Sequence, residues 1–309
     1  MSSALPVLVI IGPTAVGKSS LSVQVAQALI AQGQAAEIVS ADSMQAYVGM
    51  DIGTATPTLD ERGGIEHHLL DVWPADYSLT VSDYQETARA AINEVLARGA
   101  VPIVVGGSGL YVSAILDDLQ FPGTDPAIRA KYEAQLEEFG AQALHRQLAL
   151  IDPASAAAIL PNNGRRIVRA LEVIEITGEK YTARLPEPVE LYTTVRVGLE
   201  IPRDEMDARI ALRVHQMIAD GFVEEVQSLP ELKNAVTALR AIGYRQILEY
   251  LNGECTLDEA IETTIAITKK FARRQQRWFR PDTRITWLDY NDSALVSKVL
   301  ALLGAETKQ

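Results

Sequence analysis

The 309-residue chain holds a single cysteine, Cys255, so a disulfide within it and a cysteine-based zinc centre are both excluded, and a reducing cytoplasm is the natural setting. No apolar run approaches the ~18 residues needed to cross a membrane. The N-terminus has no basic segment ahead of a cleavable apolar stretch, so no export signal is expected. Internal repeats and low-complexity tracts are missing as well. Net positive charge is also lacking: the formal sum is −12, which taken globally argues against a nucleic-acid partner. That sum misleads if the basic residues cluster, so their distribution decides. What is present is ordinary for a soluble globular protein, 48% hydrophobic and 22% charged, and implies one large domain or a domain with an insertion.

The first positive signal is the run Gly12-Pro13-Thr14-Ala15-Val16-Gly17-Lys18-Ser19, which fits G-x-x-x-x-G-K-[ST] at every fixed position. An apolar strand, Val7 to Ile11, precedes it, and Leu21, Val25, Ala28 and Leu29 follow at helical spacing. In that context the backbone N–H groups of the loop and helix N-terminus cradle a di- or triphosphate. Lys18 adds a point charge, and the Ser19 hydroxyl can hold Mg²⁺. The motif specifies a phosphoanhydride without saying which molecule carries it.

Further strands are expected at Ala36–Ala41 and Val101–Val105. A helix with a Ser82/Gln85 capping box is expected between them, running to about Arg98. Short apolar strands alternating with helices predict an α/β fold, a P-loop NTPase-like parallel sheet flanked by helices, with functional loops at the strands' C-terminal ends. From about Phe121 the pattern changes. Asp125-Pro126 and Asp152-Pro153 read as helix starts, a third helix spans about Arg165–Thr177, and no strand is credible before Pro188. Residues 122–190 are therefore expected to form an all-helical insertion in a core built from 1–121 and 191–309. The chain returns to the sheet at Val195–Ile201, and a last strand is expected at Arg284–Leu288.

Several residues could carry chemistry. Asp42 follows the second strand at the edge that displays the phosphate loop; it reads equally as a proton acceptor or as a turn cap. Ser108 sits in the turn after the third strand, which ends in Gly106-Gly107 without the terminal Asp that positions Mg²⁺ in ordinary NTPases. His67 and His68 point in different directions on any regular element and read as structural. Arg165, Arg166 and Arg169 lie opposite the apolar residues of their helix, as a solvated face or an anion-binding surface.

A second strong signal is the helix Leu257–Arg280, opened by a Thr256/Glu259 capping box and ended by Pro281. With Ile261 at zero, Ile265, Phe271, Ala272, Trp278 and Phe279 fall between about 260° and 40°. Lys269, Lys270, Arg273, Arg274, Arg277 and Arg280 fall between about 80° and 220°, with no acid interrupting that face. In an acidic chain such clustering argues for a polyanion partner. Arg240 and Arg245 add a nearby basic element with a stackable Tyr244.

Together these residues resemble the bacterial tRNA dimethylallyltransferase family, also called tRNA isopentenyltransferases. The resemblance rests on segments 12–19, 42–47 with 49–55, 105–111, 240–246 and 274–280, and so covers almost the whole chain. It implies that the loop 12–19, although of the nucleotide-binding and ATP-binding type, holds the diphosphate of dimethylallyl diphosphate, joined by Arg213. Asp42 then matches the general base for the exocyclic amine of the adenine 3′ to the anticodon. Ser108 replaces a family Thr and keeps its hydroxyl, and Arg129 matches an arginine that assists catalysis. Asp42, Ser43, Met44 and Gln45, with Arg165, Arg166, Arg169, Arg240, Tyr244, Arg245, Arg273, Arg274, Arg277 and Arg280, match stretches that contact tRNA. The implied partners are a tRNA anticodon stem-loop and dimethylallyl diphosphate, the implied cofactor is Mg²⁺, and a monomer is expected. Val16, Ala46, Val48 and Thr56 depart from the family's usual Ser, Val, basic residue and Lys, which implies weaker local contact at 48 and 56.

Three other classes fit parts of the chain. A P-loop kinase of a nucleoside or small alcohol would use ATP. A prenyltransferase of free adenine nucleotides would not need the basic helix. A non-catalytic RNA-binding module would not need Asp42 and Ser108 beside an intact phosphate loop.

Overall fold

A computed structural model describes residues 5–181 and 187–306. The strands are β1 (Val7–Ile11), β2 (Ala36–Ser40), β3 (His67–His68), β4 (Val101–Gly106), β5 (Thr194–Glu200) and β6 (Ile285–Asp289). They form one parallel sheet in the order β3-β2-β4-β1-β5-β6, with Val9 of β1 opposite both Val104 and Arg196. Every residue of β1 and β4 is buried, which explains their continuous apolar runs: helices cover both faces of the sheet. Alternation along the strands sends Val7, Val9 and Ile11 into one core and Leu8 and Ile10 into another.

The helices of the first part are α1 (Lys18–Ala31), α2 (Val81–Ala97) and α3 (Gly109–Leu116). The start of α2 corrects the expected capping box. Thr80 is the cap, its hydroxyl accepting the Asp83 N–H while Asp83 accepts the Thr80 N–H. Ser82 already lies in the first turn, and Gln85 spends its amide on the Ala114 carbonyl. The two-residue strand β3 carries no signal in the sequence. Its His67 ring meets the Ile65 carbonyl and its His68 ring meets Glu37, so the two adjacent imidazoles have separate partners.

Later in the chain come α4 (Pro126–Phe139), α5 (Ala141–Ile151), α6 (Pro153–Ala158) and α7 (Gly164–Thr177), then α8 (Arg203–Ala219), α9 (Phe222–Ser228), α10 (Tyr244–Leu251), α11 (Leu257–Phe279) and α12 (Leu295–Glu306). The chain divides into two compact units, Met1–Leu116 with Leu191–Gln309, and Asp117–Glu190. The second unit begins where the chain leaves α3, ahead of the change in sequence pattern, because an antiparallel bridge between Asp117 and Glu190 pairs its two ends. Residues 182–186 of that segment lie outside the described residues. Asp125 and Asp152 cap α4 and α6, accepting backbone N–H groups of Ala127, Ile128 and Ser155. Tyr132, Leu144, Leu148, Ile167 and Leu171 form this unit's own core. Among the described residues no helix is long and apolar enough to cross a membrane.

Candidate active site

Parallel pairing of β2, β4 and β1 as neighbours places three loops side by side at their C-terminal ends: Asp42 after β2, Gly107-Ser108 after β4, and the phosphate loop after β1. The loop turns into α1 through Gly17 at φ +102, a conformation that L side chains rarely adopt. Close approach dictates the glycines after β4. A Cβ on Gly106 would fall 2.6 Å from the Ala41 Cβ, and one on Gly107 would fall 3.0 Å from the Gly12 carbonyl oxygen. This is the reason β4 ends without the carboxylate of ordinary NTPases: there is no room for a side chain.

Lys18 donates to the Pro13 carbonyl at 2.8 Å. From α8, Arg213 reaches the Thr14 hydroxyl at 3.4 Å and the Thr54 carbonyl at 3.5 Å, both at the long limit of a hydrogen bond. Burial pushes Lys18 down to about 8, helped by repulsion from Arg213 and opposed by Asp42. Arg213 is lowered by burial too, with Asp42 again opposing. The site thus gathers two cations against the single carboxylate of Asp42, an excess of positive charge that suits an anion-binding pocket.

Asp42 does cap its turn, accepting the Met44 N–H at 3.1 Å. Capping does not exhaust it. Burial raises its carboxyl above the ordinary carboxylate range, against the Met44 N–H and the charges of Lys18 and Arg213. Two cavities meet at this residue. One, of about 90 Å³, is lined by Lys18, Ser19, Gly107 and Gln275. The other, of about 250 Å³, is lined by Ser108, Met44, Val214, Met217, Ile242 and Thr268, with Arg240 and Arg274 also on its wall. Thr14, Asp42, Thr54, Arg213 and Phe271 line both. Such a pair accepts an anionic group on one side and a larger, partly apolar group on the other, with a carboxylate where the two adjoin.

The remaining candidates divide. Ser43 is buried and lines the larger cavity. Gln45 is engaged within the protein, accepting from the Ser40 hydroxyl and donating to the Ala55 carbonyl. Arg240 and Arg245 are exposed, but Tyr244 is not available for stacking on a base. It is fully buried, edge-on to Phe222, and its hydroxyl bonds Glu225, whose carboxylate also holds the backbone N–H groups of Asp51, Ile52 and Gly53. Tyr244 is therefore a strut under the loop that carries Thr54.

On α11 the basic face is real but not uniform. Arg273 pairs with Asp207 at 2.9 Å and Arg280 with Glu200 at 2.5 Å, so tertiary contacts supply the acids that local sequence lacks. Arg274 and Arg277 are exposed and carry no ion pair among the described residues. Trp278, expected on the inner face, is 44% exposed, since it sits at the margin of the apolar arc. Phe271 faces the two cavities.

In the second unit Arg129 donates to Glu172 at 2.6 Å and Arg169 to the same carboxylate at 2.9 Å. Arg169 also donates to the Pro122 and Gly123 carbonyls, so it does not belong to a solvated face. Arg165 and Arg166 are exposed in the first turn of α7. Gln275, Arg209 and Glu172 escaped sequence reasoning. Gln275 does fall inside the apolar arc of α11, and a polar residue there was the available signal.

A phosphate loop, a shielded carboxylate and an adjoining larger cavity fit a group-transferring enzyme. The IPP transferase family matches residues 45–282, and the chain belongs to that family. It is 56% identical to the tRNA dimethylallyltransferase of Thermobifida fusca over 96% of this chain and 94% of that protein. Among solved structures, the tRNA isopentenylpyrophosphate transferase of Bacillus halodurans is 38% identical, with a TM-score of 0.71 and 98% of each chain covered. A eukaryotic dimethylallyltransferase acting on tRNA has a TM-score of 0.78 at 28% identity, covering 93% of this chain and 74% of that one.

Proposed function

We propose that the chain is a cytoplasmic, monomeric enzyme that transfers a dimethylallyl group from dimethylallyl diphosphate to the N6 amine of the adenine 3′-adjacent to the anticodon in tRNA, releasing diphosphate. The observation that carries the reading is the position of Asp42 where the two cavities adjoin, beside Lys18 and Arg213, two cations to one carboxylate.

The allylic C–O bond breaks and its electron pair leaves with diphosphate. Lys18, the loop N–H groups and Arg213 stabilise the negative charge that develops there, an effect commonly worth about 3–4 kcal/mol for one donor. The adenine N6 lone pair, delocalised into the ring, forms the new N–C bond, and the amine proton passes to Asp42. A carboxyl whose affinity for protons is raised by burial is the better acceptor. The Ser108 hydroxyl, on the wall of the larger cavity, orients the amine or a phosphate oxygen. Arg129 is the arginine that the resemblance gives an assisting role, and an RNA phosphate would have to compete with Glu172 for its guanidinium.

Ser19 lines the smaller cavity, and its hydroxyl is a hard oxygen donor suited to Mg²⁺. Among the described residues no three acidic, histidine or cysteine side chains cluster to hold a metal, so such an ion would depend on oxygens of the diphosphate for the rest of its shell. When bound it would neutralise leaving-group charge.

The target base must leave the anticodon-loop stack to enter the cavity. RNA backbone shape and charge supply most of the affinity, through Arg240, Arg245, Arg274 and Arg277 and, in the second unit, Arg165 and Arg166. The test is transfer from labelled dimethylallyl diphosphate, with Mg²⁺, to an anticodon stem-loop. Label that disappears when the target adenine becomes guanine supports the reading. Label in AMP alone would move the chain to free nucleotides, and ATP consumption with a small acceptor and no prenyl transfer would replace the reading with a kinase.

A further inference from the structure

The run 273–280 is the part of α11 that the family resemblance gives to tRNA, yet Gln275 within it turns inward. It is 6% exposed. Its Oε1 accepts the Thr14 N–H at 2.9 Å, joining α11 to the phosphate loop across 261 residues of sequence. Its Nε2 lies over Gly107, where a Cβ would stand 2.3 Å away. From α8, Arg209 donates its Nε to the carbonyl of the next loop residue, Ala15, at 2.8 Å. Ala15 is held at φ +63, which is uncommon for a residue with a side chain. The two apex residues of the loop are thus each pinned from outside by a different helix.

The chemistry of the pin matters. A loop that binds phosphate through its backbone N–H groups works best when those groups are already oriented. A neutral amide oxygen can accept the Thr14 N–H without setting a negative charge beside the site, whereas a carboxylate making the same bond would repel the diphosphate. A glycine at 107 leaves the room that the Gln275 amide occupies.

We infer that Gln275 is a positioning residue for the diphosphate: with Arg209 it holds the apex of the phosphate loop in its binding shape, and its effect falls on the allylic diphosphate and not on the RNA. The inference rests on the reading of this loop as a diphosphate site.

The test uses the full chain with Gln275→Met, close in shape and without the amide acceptor. Binding of inorganic diphosphate and of dimethylallyl diphosphate is measured by calorimetry without RNA, and the KM of each substrate and the Kd of the anticodon stem-loop are measured separately. Loss of one well-placed hydrogen bond should weaken diphosphate binding and raise the KM for dimethylallyl diphosphate about tenfold, while stem-loop binding stays within about twofold. Arg209→Met should show the same split, and it carries the test if the first variant does not fold. Unchanged diphosphate affinity in the folded variants, or equal losses for diphosphate and stem-loop, would overturn the inference while leaving the site reading in place. Wild-type protein that binds neither diphosphate would overturn both.

Discussion

Two groups of charge, one in each unit, are built from the same ingredients: two cations and one carboxylate. In the second unit Arg129 and Arg169 close on Glu172 at 2.6 and 2.9 Å. Burial alone would raise the Glu172 carboxyl, but the Thr124 hydroxyl, Arg169 and Arg129 bring it below its usual range. In the first unit Lys18 and Arg213 share a site with Asp42 without closing on it, their hydrogen bonds go to a hydroxyl and to carbonyls, and both cations are pushed down. One group is satisfied by the fold and braces it. The other is left short of negative charge, and a bound diphosphate would supply what is missing. The lesson is that an arginine's role follows from what its neighbours have already neutralised, since an unpaired buried charge is costly to keep and is kept where a ligand completes it.

That contrast can be broken at several points. The largest effect should come from Asp42→Ala, which should lower turnover about 10²–10⁴-fold with stem-loop binding preserved; parallel loss of binding would remove Asp42 from the role of base. Lys18→Met should cost about 10²–10³-fold in kcat by removing one charge-stabilising donor. It should not lower the melting temperature, because burial and then repulsion from Arg213 both disfavour the Lys18 charge in the free protein, against a smaller attraction to Asp42. Glu172→Gln should do the reverse, destabilising by about 2–3 kcal/mol, below the 3–5 typical of a wholly buried pair since both arginines reach solvent. Denaturant titration of both variants distinguishes the two groups; equal destabilisation would erase the difference between them.

A pH profile sharpens the same point. Asp42 must be ionised to accept a proton and its pKa is raised, so the acid limb of kcat/KM should lie above the ordinary carboxylate range. Lys18 must be protonated to attract diphosphate and titrates at about 8, so the alkaline limb should fall near there. A profile flat from acid to alkaline would contradict both assignments. The smallest effect concerns α11. Arg274→Ala and Arg277→Ala should each flatten the slope of log K against log salt for the stem-loop by roughly 0.7–0.9, one phosphate contact apiece. Arg273→Ala and Arg280→Ala, tied to Asp207 and Glu200, should change it less.

Much of the fold was legible in the sequence because its determinants are local. Five of the six strands, and α4, α6 and α7 of the second unit, announce themselves through apolar periodicity, Asp-Pro starts and glycine stops; α5, which follows α4 after Gly140 alone, does not. The phosphate loop is legible for the same reason, since its motif lies within eight consecutive residues, whereas the contacts that pin its apex come from two distant helices. The start of α2 was misread because Ser82/Gln85 and Thr80/Asp83 offer competing boxes, and contact with α3 drew Gln85 away. The strand β3 was invisible because two residues carry no period.

By itself, then, the sequence determined that a phosphate loop sits on a parallel α/β sheet, that a helical segment interrupts it, and that one helix gathers basic residues in an acidic chain. Only the tertiary structure decided which of those charges are spoken for. Asp207 and Glu200 claim Arg273 and Arg280, Glu172 claims Arg129 and Arg169, Tyr244 disappears beneath a loop, and Gln275 turns to the phosphate loop. The reason is range. Backbone preference and periodicity act over a few residues, whereas a charge is neutralised by whatever the fold brings within about 4 Å, here from as far as 86 residues along the chain, between Arg196 and Asp282.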